Sequence, residues 1–157
     1  MDLRELLAGH HANVFAFLYR LCGDAHLAED LAQETFVRAF RALERYQPRG
    51  KMSTWLFAIA ANVARDHWRR RKRRAEVPYE DAVLHADGAD MSEGMQVREA
   101  LLSLSLEQRT VLILRYYHDL SYAEIAEALV IPVGTVRSRI HNGLERMKGQ
   151  LLEVGVR

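Results

Sequence analysis

Apolar residues recur along this chain at spacings of three and four, and sustained strand-like alternation is absent. That periodicity predicts an all-α fold. A first helix is expected over 3–21, with Leu7, Val14, Leu18 and Leu21 on one stripe. Gly23 ends it, and Asp24 offers the cap for a second helix over 25–45. In the second helix Leu27, Leu31, Phe36, Phe40 and Leu43 are expected inward. Pro48 and Gly50 mark a loop over 46–51. Ser53 or Thr54 then caps a third helix that runs into the basic stretch 69–74.

The periodicity stops at Glu76 and resumes at Val97. Residues 76–96 contain Pro78, Gly88 and Gly94 and read as a flexible acidic linker, with a loop packed on one continuous bundle as the alternative. Two small helical domains are therefore expected, 1–75 and 97–157, with 76–96 between them. In the second, Ser105 with Gln108 and Ser121 with Glu124 match the capping box, so helices are expected from about Leu106 and Tyr122. Val97, Ala100, Leu101 and Leu104 share one face of a preceding helix. Pro132 suits the first turn of a last helix.

Charge divides the chain in the same places. The net charge of +1 hides a segment, 47–75, with nine basic groups against one acidic. It is followed by 76–97, with six acidic groups and no Lys or Arg. A concentrated positive segment in a near-neutral chain suggests a polyanion partner for that segment alone. No apolar run approaches the twenty residues that span a bilayer, and the N-terminus lacks a signal-peptide pattern, so a cytoplasmic chain is expected. Cys22 is the only cysteine, which excludes an internal disulfide and any zinc site built on several cysteines.

Three motifs bear on function. Residues 122–129, the break Val130-Ile131-Pro132 and a helix from about Val133 have the layout of a helix-turn-helix. Ile125, Ala126, Leu129, Val136 and Ile140 form its small core, while Arg137 and Arg139 can reach guanine edges or phosphates and Ser138 either. A helical hairpin with a solvated charged face has the same pattern. Asp30, Gln33, Glu34 and Arg38 share one polar helix face, which spacing alone does not distinguish from an ordinary solvated one. The helix from Thr54 interleaves Trp55, Phe57 and Trp68 with Asn62, Arg65 and six consecutive basic residues. Basic groups neutralise phosphates and aromatics stack on unpaired bases, although Trp55 and Trp68 also suit core packing.

Taken in this order, the three motifs resemble the extracytoplasmic-function (ECF) branch of bacterial sigma factors over nearly the whole chain. Asp30-Leu31-Ala32-Gln33-Glu34-Thr35-Phe36 is similar to the family's region 2.2, and Ser53 to Ala60 with Asn62 resembles its −10 segment. Residues 120–126 and 132–140 resemble region 4.2. The resemblance implies a region 2 three-helix bundle joined to a region 4 helix-turn-helix, in a specificity subunit without catalysis, cofactor, metal or small-molecule substrate. It implies that Asp30, Gln33 and Glu34 bind the clamp helices of the polymerase β′ subunit, with a further contact to the β flap. Arg49, Gly50, Lys51, Ser53 and Asn62 would receive an unpaired −10 base, and Arg65, Arg69 and Arg70 the phosphates nearby. Thr135, Arg137, Ser138, Arg139, His141 and Asn142 would read or grip the −35 element. An anti-sigma factor is the family's common partner and can hold such a chain at the membrane. The chain departs from the pattern at Lys51, where an acidic residue is frequent, at Val130 in the turn, and at Asn142 and Gly143.

Two other classes fit less well. A stand-alone repressor gives no role to the basic run and the acidic segment. A carboxylate-bridged metalloenzyme needs a Glu-x-x-His pair on each of two helices, and neither N-terminal helix has one.

Overall fold

The computed structural model describes residues 2–47, 50–74 and 93–153. Arg49 and positions 76–92 of the expected linker lie outside them. Every regular element among the described residues is helical: α1 (Leu3–Ala8), α2 (His11–Cys22), α3 (Ala25–Ala42), a 3₁₀ turn (Leu43–Arg45), α4 (Met52–Arg74), α5 (Glu93–Leu102), α6 (Leu106–Tyr116), α7 (Tyr122–Leu129) and α8 (Val133–Glu153).

The expected first helix is two. Asp2 caps α1 by accepting from the Arg4 N–H, and the Gly9 N–H closes it onto Glu5 and Leu7. Gly9 is a poor residue for helix interiors, and α2 restarts at His11. The break leaves the apolar stripe in register, so Leu7, Val14, Leu18 and Leu21 are all buried. Gly23 takes the left-handed conformation, φ 73°, that ends α2. The Asp24 carboxylate then accepts from the His26 and Leu27 N–H groups at 2.9 and 3.2 Å.

α4 begins at Met52, ahead of the expected cap at Ser53 or Thr54, with the Lys51 carbonyl accepting from the Trp55 N–H. Its apolar face buries Leu56, Phe57, Ala60, Val63, Ala64 and Trp68 against α2 and α3. Trp68 is 2 % exposed, so it is a core residue and not a base platform. Phe40, expected inward, is 43 % exposed beside Val37 at 41 %. Burial pushes the Cys22 thiol up to about 11, which makes it an unreactive core residue.

In the C-terminal half, α5 starts at Glu93, four residues ahead of the expected Val97. Ser105 caps α6 through the Gln108 N–H, but the buried Gln108 Oε1 makes no return bond, so that capping box is half formed. The box at Ser121 and Glu124 is complete. Pro132 stands just before α8, its carbonyl accepting from the Thr135 and Val136 N–H groups. Gly143 lets α8 approach α6, since a Cβ there would meet Leu112 Cδ1 at 3.0 Å.

The two halves pack on each other. α6 and α5 lie against α2, and α7 lies against α4, so one buried cluster runs from Leu7 to Ile140.

Candidate nucleic-acid interface

The helix-turn-helix is built as its spacing requires. α7 ends at Val130 with φ 55° and ψ 52°, and the Ile131 N–H returns to the Ala126 carbonyl. A β-branched residue is unfavourable there, but Val130 is 87 % exposed and no packing depends on it. Ile125, Val136 and Ile140 are buried between α7 and α8, with Ala126 at the edge and Leu129 half-buried.

α8 sorts its polar residues onto two sides. Arg137, Ser138, His141 and Asn142 are exposed. The Ser138 hydroxyl donates to the Thr135 carbonyl, and Thr135 is itself half-buried. Arg139 points elsewhere, into a cavity it shares with Arg65 of α4. The open face is therefore carried by four of the six expected −35 residues.

On α4, Asn62 and Arg65 are exposed one turn apart, and the Asn62 Oδ1 accepts from Arg65 Nη2. Arg69 and Arg70 continue along the helix and form a shallow basic groove with Asp66, Lys72 and Arg73. Burial, and then the guanidinium groups of Arg71, Arg70 and Arg74, hold His67 below its ordinary range. Gly50, at φ 74°, and Lys51 are exposed at the start of α4, with Ser53 half-buried in its first turn. Behind this loop Tyr46 packs on Trp55, ring centroids 4.7 Å apart. The loop faces α7, sharing a cavity with Glu124 and Glu127.

The α3 face divides in two. Asp30 and Gln33 are exposed. Glu34 is engaged: it accepts from Arg38 Nε at 3.1 Å, and Arg38 Nη1 reaches Asp66 of α4 at 3.1 Å. Glu34 thus helps fasten α3 to α4. Exposed Val37 and Phe40 stand one and two turns beyond Gln33 and give the face an apolar floor. Sequence reasoning missed them, because Phe40 follows buried Phe36 at a core spacing. It also missed Arg109, an arginine within the buried stripe of α6.

A helix-turn-helix packed on a helical bundle with a basic groove is the architecture of a DNA-binding protein. The Sigma-70 region 2 family matches residues 6–74, and the Sigma-70, region 4 family matches residues 94–147. The chain is 36% identical over 159 residues to the ECF RNA polymerase sigma factor SigW of Bacillus subtilis, covering 90% of this chain and 84% of the relative. It is 41% identical over 156 residues to the ECF RNA polymerase sigma factor SigE of Mycolicibacterium smegmatis, covering 94% of this chain and 60% of that longer protein. Among solved structures, the sigma factor RpoE in complex with the anti-sigma factor NepR from Bartonella quintana superposes with a TM-score of 0.78 at 27% identity, covering 96% of each chain. CnrH in complex with the cytosolic domain of CnrY superposes with a TM-score of 0.71 at 25% identity, covering 96% of this chain and 87% of that one. The chain belongs to the ECF sigma factors of RNA polymerase, and its function is promoter recognition for that enzyme.

Proposed function

We propose that this chain binds core RNA polymerase through α3 and reads a promoter at two separate places. Residues 1–75 form the polymerase-binding and −10 half, 97–157 the −35 half, and 76–96 the connection. The observation that carries this reading is the separation of three exposed faces. Asp30 and Gln33 with Val37 and Phe40 form a mixed polar and apolar face suited to a protein partner. Asn62, Arg65, Arg69 and Arg70 form a basic face on α4. Arg137, Ser138, His141 and Asn142 form the outer face of α8.

Each face has chemistry for its task. The α8 side chains can enter a major groove and meet base edges. The Asn62 amide and the loop around Gly50 and Lys51 suit an unpaired base edge, with Arg49 also assigned there, while Arg65, Arg69 and Arg70 neutralise adjacent phosphates. Polymerase performs the phosphoryl transfer, and this chain supplies selection and melting without catalysis of its own. The partners are therefore the β′ clamp helices and β flap of core polymerase, promoter DNA and an anti-sigma factor. Complexes of RpoE with NepR and of CnrH with CnrY support the last. No helix among the described residues is long and apolar enough to cross a membrane; the proposed work on promoter DNA places the chain in the cytoplasm.

Run-off transcription with core polymerase on a randomised promoter library tests the reading. Selection of sequences at both the −35 and −10 positions is the expected outcome. Transcription without sequence selection at either would refute it.

A further inference from the structure

A cavity of about 140 Å³ lies among α4, α6, the end of α7 and α8. An apolar space of roughly this volume takes a molecule of about benzene's size. One wall is apolar, made by buried Leu106 with half-buried Leu129 and Ile131. Arg65 and Arg139 reach the cavity from different helices, α4 and α8, and exposed Glu107 of α6 also lines it.

The charged groups of this lining are unmatched within the chain. The Arg139 side chain is half-buried and, among the described residues, makes no hydrogen bond or ion pair. The Arg65 guanidinium donates from Nη2 to the Asn62 Oδ1 and, among the described residues, meets no carboxylate. The Glu107 carboxylate has no cation within reach among them either. Arg38 of α3 is the contrast, since Glu34 and Asp66 both pair with it. A guanidinium carries five N–H donors, and two that converge on one cavity repel each other until an anion lies between them.

These parts fit one kind of molecule. Guanidinium groups grip phosphate with two parallel N–H donors. A phosphate monoester carries about −1.5 to −2 at neutral pH and matches two cations, where a carboxylate matches one. The Glu107 carboxylate offers only acceptors, so it suits hydroxyl groups on whatever carries the phosphate. The apolar wall suits the face of a sugar or a base. We propose that this cavity binds a small hydroxyl-bearing phosphate monoester, a ribose phosphate or a nucleoside monophosphate, with its phosphate on Arg65 and Arg139 and its hydroxyls on Glu107. Both arginines are also assigned to promoter contacts above, so ligand and promoter would draw on the same two groups.

Titration calorimetry on the free, full-length chain tests the site, with adenosine 5′-monophosphate and ribose 5-phosphate as probes and chloride fixing the ionic strength. A probe should bind as one molecule per chain, about tenfold or more tightly than inorganic phosphate. Equal affinity for the two would make the sugar phosphate the recognised part, and a tighter nucleotide would add the base. Arg139→Ala should weaken binding about tenfold or more, the loss expected for a charge-assisted hydrogen bond. Glu107→Ala should remove the advantage over inorganic phosphate. Should Arg139→Ala lose its helical circular dichroism spectrum, Arg65→Ala decides, because Arg65 is exposed. The basic groove along α4 is the rival site. Arg69→Ala with Arg70→Ala should leave the affinity within about twofold, and a loss confined to that variant would overturn the proposal. So would unchanged affinity in the Arg139 or Arg65 variant, or no binding of either probe at millimolar concentration. Neither polymerase nor DNA enters the titration, so its failure would leave the promoter reading untouched.

Discussion

The imidazole of His118 lies with its ring centroid 4.6 Å from that of Phe57, and its buried Nε2 has no hydrogen-bond partner. Burial, and then the Arg20 guanidinium, push the His118 imidazole down to about 4, against a small opposing effect of Asp119. The folded chain therefore holds His118 neutral where the unfolded chain, titrating near 6.5, takes a proton. Stability from this residue is complete above pH 6.5 and is lost as the pH falls from there to about 4. Thermal melts over that range should show a steeper fall for wild type than for His118→Phe, which packs without titrating. Parallel curves would show that His118 does not control the loss.

The α3 face should separate binding from stability. Asp30→Ala and Gln33→Ala should weaken core polymerase binding and leave the melting temperature within about 1 °C, since both side chains are exposed. Glu34→Ala should also cost stability, by less than ~1 kcal/mol because its contact with Arg38 is partly exposed. Polymerase affinity by titration and melting by circular dichroism measure the two effects. Intact core binding by the Asp30 and Gln33 double variant would remove the face from the interface.

The two DNA-facing regions should fail differently. Arg137→Ala should relax −35 preference and cost about 1–3 kcal/mol where it makes a bidentate base contact. Asn62→Ala should change the preferred −10 base and leave −35 preference alone. On templates already opened over the −10 region, the Asn62 defect should persist if base identity is what it reads. Full rescue by pre-opening, whatever the base, would reduce Asn62 to a melting role.

Val130 should be a site of easy stabilisation. Val130→Asn keeps an exposed side chain but suits φ 55° better, and should gain about 1 kcal/mol, or roughly 2–4 °C in melting temperature. A lower melting temperature would mean that the valine makes a contact worth more than its backbone strain.

Long amphipathic helices and their caps were legible because each signal is local. Asp24, Gly23, Ser121 and Glu124 occupy the cap positions that their types predict. The break at Gly9 was hidden, since the stripe from Leu7 to Leu21 stays in phase across it. Phe40 was misplaced because its spacing from Phe36 is that of a core pair, and only the curvature of neighbouring elements decides how far a stripe extends. Of the candidate site, the exposed α3, α4 and α8 residues were legible from face periodicity. The direction of Arg139 and the burial of Arg109 were not, because both depend on the other half of the chain. Helical spacing names a face and says nothing of what it will meet.

The burial of Trp68 gives this protein an optical reporter of its own. The Arg109 guanidinium stands 5.9 Å from the centroid of the indole, which is sealed from solvent by the packed core. Indole emission moves to longer wavelength and is more readily quenched by iodide when water reaches the ring. A Trp55→Phe chain would leave Trp68 as its only tryptophan, so the emission of the isolated chain would report water entering this core without an added dye.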